Sequence, residues 1–404
     1  MKKRLLQMSV SLALAYMFSN PSYADTTLPN EKGALPINKG DIPLNHTVTP
    51  SPETVELEPA TVTAQKIKGA RIDLSPKICT TIYTIDQQMV KSLSQGADTP
   101  LDEVLLHLPG VDKDSKASGA LHVRDDHGNV QYRIDGVILP EAISGFGTSI
   151  DTRFIEKIDF STGALPAQYG LRTAGVVDIQ TKEGLAKPGG QLGFMFGSHN
   201  TIQPNAQFFG TSGNFGYYIS GSYLSNNQGI ENPQPIRNAN HDDTKQTRSF
   251  SDFSYFLDDN TRLGLMLGTF NGKFQIPTNP NQPIGFSLTG ISDITTGFTA
   301  LPSSQVNERQ TEVNQFYVLS LQKTIDNLDY QISAFHQYSN LHFTPDPQGD
   351  FIFNGVASNS LRSNSAYGLQ LDASYKLNVS NMVRFGGGYI RQLTKSINDV
   401  SVFQ

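Results

Sequence analysis

The sequence predicts a small α+β domain followed by an antiparallel transmembrane β-barrel that these strands alone leave incomplete. Three observations carry that expectation. The chain opens with an export signal, a short helix and several short strands alternate between Ile78 and Thr181, and long strands with period-2 alternation begin near Gly190.

Lys2, Lys3 and Arg4 form a basic start, and Leu5 to Phe18 is apolar apart from Gln7, Ser9 and Ser11. Ser22-Tyr23-Ala24 places small residues at the −3 and −1 positions of a cleavage site, so residues 1–24 read as a signal peptide and Asp25 as the mature start. The apolar run is too short to anchor as a membrane helix. No later stretch reaches 18 consecutive apolar residues. Charged residues make up only 17% of the 404, with 35 Gly and no Trp, a composition that suits strands with one face on lipid and one on a polar interior. A formal charge of −6 leaves no nucleic-acid footprint. The single Cys79 excludes an internal disulfide framework and a multi-cysteine metal site.

Residues 25–56 read as a periplasmic linker, because Pro29, Pro36, Pro43, Pro50 and Pro52 interrupt any periodicity. Leu57 to Gln65, LEPATVTAQ, is β-prone. In the α+β domain Ile78 to Ile85 is strand-like. Thr99 is expected to cap a helix with Pro100 at its first position, and Leu101, Val104, Leu105 and Leu108 form one buried stripe before Pro109-Gly110 stops it. Leu121 to Arg124, Gln131 to Ile134, Phe154 to Phe160 and Val176 to Thr181 are further short strands. Phe154, Ile158, Phe160, Val176, Val177 and Ile179 supply the predicted core, and Gly136, Gly163, Gly170 and Gly175 permit tight turns.

From Gly190 the period changes. In Tyr367 to Leu377 the apolar Tyr367, Leu369, Leu371, Ala373, Tyr375 and Leu377 alternate with small or polar residues, the pattern of a strand with one face on lipid. Phe215, Tyr217, Ile219 and Tyr223 repeat it, and Leu263, Leu265 and Leu267 do so less cleanly around Met266. Tight turns at Ser212 to Asn214, Asp258 to Asn260, Asp326-Asn327 and Ser380-Asn381 alternate with long connections at Ser225 to Lys245, Asn271 to Thr311 and Thr344 to Arg362. Sorting of loop length by parity is expected when turns face the periplasm and loops the exterior. About ten strands are expected in residues 190–404, with Arg391 to Gln404 opening a further hairpin.

LEPATVTAQ, LDEVLLHLPGV from Leu101, LHVR from Leu121, YRIDGV from Tyr132 and the long run from Phe154 to Gly184 occur in this order between a signal peptide and a barrel pattern. In these motifs residues 57–184 resemble the plug domain of TonB-dependent outer-membrane receptors, with Asp125 standing after Arg124 where many members carry Gly. The resemblance implies a plug that closes a barrel lumen, an N-terminal box that binds the energy-transducing protein TonB by strand addition, and ligand contacts in apical plug loops. The box candidate is Thr61, Val62, Thr63 and Ala64. With the Asp125 to Asn129 turn toward the periplasm, the apical loops are Asp112 to Ala120 and Ile138 to Thr152, with Lys113, Lys116, Glu141 and Phe146 as ligand-contact candidates.

No catalytic constellation, cofactor motif or metal site emerges. His336 and His342 are about 20 Å apart at strand rise, and His241-Asp242-Asp243 reads as a solvated loop. Ten strands at about 4.8 Å spacing and 40° tilt would close at a radius near 10 Å, against about 18 Å for a plug of this size. The strands present cannot enclose the plug, so a truncated product or an N-terminal fragment is expected, inactive alone. The expected function is energised uptake of a scarce ligand such as a siderophore-like metal chelate, in the outer membrane of a Gram-negative bacterium, with TonB, membrane lipid and a small-molecule ligand as partners. The alternative is a structural or adhesin barrel without transport.

Overall fold

A computed structural model describes residues 59–74, 80–113, 121–124, 126–127, 129–170, 172–184, 188–230 and 240–402. The signal peptide, the linker, Cys79 and Lys116 lie outside these residues.

The first element is helix α1, Pro59–Asp73. From Pro59 on it replaces the extended segment expected from LEPATVTAQ, whose Leu57 and Glu58 lie outside the described residues. Pro59 stands at the first turn, where a missing N–H costs nothing, and the run that follows carries helix formers at Ala64, Gln65, Lys66 and Lys68. Four TVTA residues favour a strand; fifteen in sequence favour the helix.

The α+β domain follows. Strand β1 (Thr80–Asp86) leads into α2 (Gln87–Ser92), whose N-cap Asp86 accepts from Met89 N, then α3 (Leu101–Leu105). Thr99 does not cap α3. It ends a 3-10 turn at Gly96–Asp98 and donates to Gly96 O, and Pro100 takes the cap position. The stripe Leu101, Val104, Leu105, Leu108 is buried as expected, although the regular helix stops at Leu105. Short strands β2 (Val111–Lys113), β3 (Leu121–Val123) and β4 (Asp126–His127) form a separate three-stranded sheet. Strands β5 (Val130–Ile134), β6 (Val137–Leu139), β7 (Ile155–Gly163) and β8 (Gly175–Thr181) join β1 in the order β1-β7-β8-β5-β6. The β5–β8 pair is parallel; the others are antiparallel. All six predicted core residues are at most 2% exposed. Gly136, Gly163 and Gly170 have positive φ, but Gly175 does not: its Cα lies flat on Phe160, where a Cβ would come within 2.8 Å of the ring.

The long strands are β9 (Gly189–Gly197), β10 (Thr201–Ser212), β11 (Phe215–Asn227), β12 (Asp243–Asp258) and β13 (Thr261–Gln275). A small hairpin, β14 (Ser292–Asp293) with β15 (Phe298–Thr299), interrupts the next connection. Then come β16 (Arg309–Ile325), β17 (Leu328–Thr344), helix α4 (Pro347–Asn354), β18 (Val356–Lys376) and β19 (Met382–Val402). Among the described residues the long strands number nine, not about ten, and form one antiparallel meander. Met382–Val402 is a single strand, so Arg391 opens no further hairpin. Val356 to Arg362 is also strand, which shortens the last long connection. From β10 onward short turns alternate with long connections, but the β9–β10 link at 198–200 is as short as the β10–β11 turn that follows it, so the expected sorting by parity does not hold at the start of the meander. Register sorts the two faces: in β17 Asp329, Gln331, Ser333, Phe335, Gln337 and Ser339 are buried, while Ile332 and Ala334 between them are exposed. Leu369 is 58% exposed and Leu319 56%, whereas Met266, whose neighbours blurred the alternation, points inward at 4%.

Candidate functional site

The buried face of the meander packs on the α+β domain through polar groups. Gln331 Nε2 donates to Asp135 O (3.3 Å), Gln370 Nε2 to Gly136 O (2.9 Å), Asn314 Nδ2 to Gly145 O (3.4 Å) and Arg248 Nε to Thr148 O (2.7 Å). Ile143 N donates to Ser339 Oγ (3.2 Å), and Ser222 Oγ donates to Asp151 Oδ2 (2.8 Å). An apolar patch joins them: Phe154 stacks on Phe250 with centroids 3.8 Å apart, and Tyr218, Met266, Phe316, Val318 and Phe335 of the meander continue the core of the α+β domain. Amides and hydroxyls on the inner wall exchange one partner for another, or for water, at a net cost of about 1 kcal/mol each. The polar contacts orient the domain and are individually cheap to exchange, while the shared apolar patch opposes its departure.

One end of this interface holds a buried charge cluster. Arg71, in the last turn of α1, places Nη2 3.0 Å from Asp135 Oδ1 and 2.9 Å from Glu183 Oε1. Arg262 on β13 approaches the same Glu183 (3.8 Å) and Asp252 on β12 (3.6 Å). Thr181 Oγ1 joins Asp135 to Asp252. Burial works against the charge on Arg71, but Asp135 and Glu183 outweigh it and raise its pKa. Burial likewise pushes the Glu183 carboxyl up, and Arg71 with Arg262 more than offsets that and holds it below its usual range. Helix α1 is tied to the meander beside the cluster: Gln322 Nε2 donates to Ile67 O (2.6 Å), Lys66 Nζ to Asn260 Oδ1 (2.6 Å) and Thr63 Oγ1 to Asp259 Oδ1 (3.1 Å), with Ile67 against Phe256. Asp259 and Asn260 form the tight β12–β13 turn, so α1 sits at the short-turn end. The candidate box Thr61 to Ala64 lies inside α1, helical rather than extended. Nothing in its composition signalled Arg71, whose partners lie 64 and 112 residues away.

The opposite end gathers the loop candidates unevenly. Lys113 Nζ is engaged by Asp102 and by Glu103 (3.6 Å), and Asp102 N meets Gly147 O (3.4 Å), so Lys113 and the Phe146 segment share one neighbour. Phe146 is 2% exposed, with its ring 5.0 Å from Tyr132, a core position. Glu141 is exposed and pairs with Arg172 at 2.9 Å, apart from the other two. Asn129 Nδ2 bonds Thr173 Oγ1 at 2.5 Å, beside that Arg172–Glu141 pair. The turn expected on the periplasmic side therefore lies next to the 138–152 loop, not across the domain from it. Above this end, the β13–β16 and β17–β18 connections pack on each other through Leu288, Val306, Ile352 and Phe353. Among the described residues no group of three His, Cys, Asp or Glu side chains is placed to hold a metal ion.

No family model matches the chain, and no curated protein does. Solved structures do. The FrpB iron transporter from Neisseria meningitidis (F3-3 variant) matches with a TM-score of 0.59 at 16% identity, covering 78% of this chain and 49% of that one. The siderophore receptor PiuA from Acinetobacter baumannii matches at 0.59 and 15%, covering 81% and 49%. The unliganded ferric citrate transporter FecA matches at 0.57 and 16%, covering 80% and 49%. The fold is that of a TonB-dependent outer-membrane receptor. The chain spans about half the length of these structures, covering a plug and part of a barrel.

Proposed function

We propose that this plug and meander belong to an outer-membrane receptor that takes up a metal chelate of the siderophore class, driven by TonB. The observation that carries the reading is the interface itself: an α+β domain held by hydrogen bonds and one aromatic-rich patch against the largely polar face of a sheet whose other face is apolar. A structural or adhesive barrel leaves such a separable domain without a task. The short-turn end faces the periplasm in this reading. There Thr61 to Ala64 pairs with TonB by strand addition after α1 unwinds, and pulling is resisted first by Arg71. At the other end, Lys113, Lys116, Glu141 and Phe146 mark the loops nearest the chelate, with Glu141 the exposed contact and Phe146 a support beneath it.

The test is uptake of iron-55 from a panel of ferric catecholate, hydroxamate and citrate complexes by iron-starved cells expressing the whole gene. Accumulation of one class, abolished by Val62→Pro with surface binding retained, supports the reading. Equal accumulation with and without the gene for every complex overturns it.

A further inference from the structure

The outward face of the meander changes character along its strands. Leu263, Leu265 and Leu267 on β13 stand level with Leu321, Leu319 and Tyr317 on β16, which marks an apolar band. Beyond it the same face turns polar at Thr269, Gln315 and Asn271, with Val313 opposite Asn271, and then basic. Register places Lys245 of β12 directly opposite Lys273 of β13, both exposed on this face. Their next neighbours in the row are Ser225 and Thr311, and neither is acidic. Arg309 lies one row further out, opposite Gln275, and Asp243 is the carboxylate that shares this outer edge. The edge thus carries Lys245, Lys273 and Arg309 against Asp243. Among the described residues neither lysine has an ion-pair partner.

Like charges directly opposite each other on a sheet face are destabilising, so this pair stands against the preference of an isolated sheet. From Leu267 to Lys273 is six residues, about 15 Å along the membrane normal at ordinary strand rise and barrel tilt. Lysine stems reach several ångströms back toward the apolar boundary while the ammonium stays in polar surroundings. That height is the headgroup layer, at the long-connection end.

We infer that Lys245 and Lys273, with Arg309 beside them, form an outward-facing site for the phosphate groups of an anionic glycolipid in the outer leaflet. The inference rests on the outer-membrane reading above. Two headgroup phosphates bridged by the pair relieve its repulsion, and the polar rows beneath supply hydroxyl and amide donors to the sugar. Lys323, on the same face at the short-turn end, stands opposite Thr261 and Tyr330 with no second cation beside it and does not form such a site.

The test uses the whole protein extracted in dodecyl maltoside and titrated with fluorescent bisphosphorylated lipid A in mixed micelles. Replacing both lysines, Lys245→Gln with Lys273→Gln, is expected to weaken binding by about thirty-fold. Lys323→Gln should stay within about twofold. Binding by the double variant within twofold of the parent, an equal loss in Lys323→Gln, or full competition by inorganic phosphate overturns the inference. A protein absent from the detergent-soluble membrane fraction would remove the outer-membrane reading instead, and the inference with it.

Discussion

Removing Arg71 should release helix α1 while leaving the plug sheet folded. The Arg71 side chain is 5% exposed, and its two carboxylate partners are each 3% exposed. Deleting one member of a buried ion pair costs roughly 3–5 kcal/mol, because the remaining charge stays desolvated. Arg262, 3.8 Å from Glu183, offsets part of that loss, which puts the cost near the lower limit, about 3 kcal/mol. The other attachments of α1, at Ile67, Lys66 and Thr63, remain. Local opening of the helix should therefore rise on the order of a hundredfold in Arg71→Met. Hydrogen exchange read by mass spectrometry on peptides spanning residues 59–73 measures it, with Ile155–Gly163 and Gly175–Thr181 as internal references. Adding Glu183→Gln should restore part of the protection, since one stranded charge disappears. Exchange in 59–73 within threefold of the parent, or equal loss of protection in β7 and β8, would refute the assignment of Arg71 as the clasp of α1.

Gly175→Ala should destabilise the plug by about 1–3 kcal/mol, seen as a lower urea midpoint, because the added methyl meets the Phe160 ring at 2.8 Å. Leu369→Lys should lower folding stability in a bilayer by about 2–4 kcal/mol, although Leu369 is 58% exposed; an unchanged urea midpoint in vesicles would mean this face does not meet lipid. The loop cap at the long-connection end should loosen with rising pH. Burial, then the hydrogen bond and charge of Asp350 and the charge of Asp346, push Glu308 up to about 8 from the ordinary glutamate value of 4.5. A carboxyl whose pKa is raised on folding favours the packed state fully below pH 4.5 and loses that contribution as pH climbs through 8. Protease cleavage between Ile276 and Ser303 should accelerate across that window, and Glu308→Gln should make the rate independent of pH.

The strands of the meander were legible because period-2 alternation is forced on any sheet with unlike faces. Ile219, Leu263 and Leu369, all on the exposed face, needed no three-dimensional information. The plug core was legible for the same reason: Phe154, Ile158 and Val177 are apolar where burial requires it. Helix α1 was not, since Thr61 to Ala64 read alone favours extension and the deciding influences are Pro59 and the docking of Ile67 on Phe256. The placement of Phe146 and Lys113 as ligand contacts followed from loop position. The structure shows what position cannot: one ring is packed on Tyr132 and one ammonium is held by Asp102. The charge cluster was the least legible feature. Arg71, Asp135, Glu183, Asp252 and Arg262 come from four distant segments, and no spacing links them.

In the proposed function, α1 carries the segment on which TonB pulls. A photoreactive amino acid placed at position 62 of the whole protein, in cells that carry TonB and are supplied with the transported ferric complex, tests it most directly. A light-dependent crosslink to TonB is expected, stronger in Arg71→Met, where the helix opens more often, and absent when the probe is moved to Lys376 on β18. No crosslink at position 62 in either background, with the protein present in the outer membrane, would contradict it.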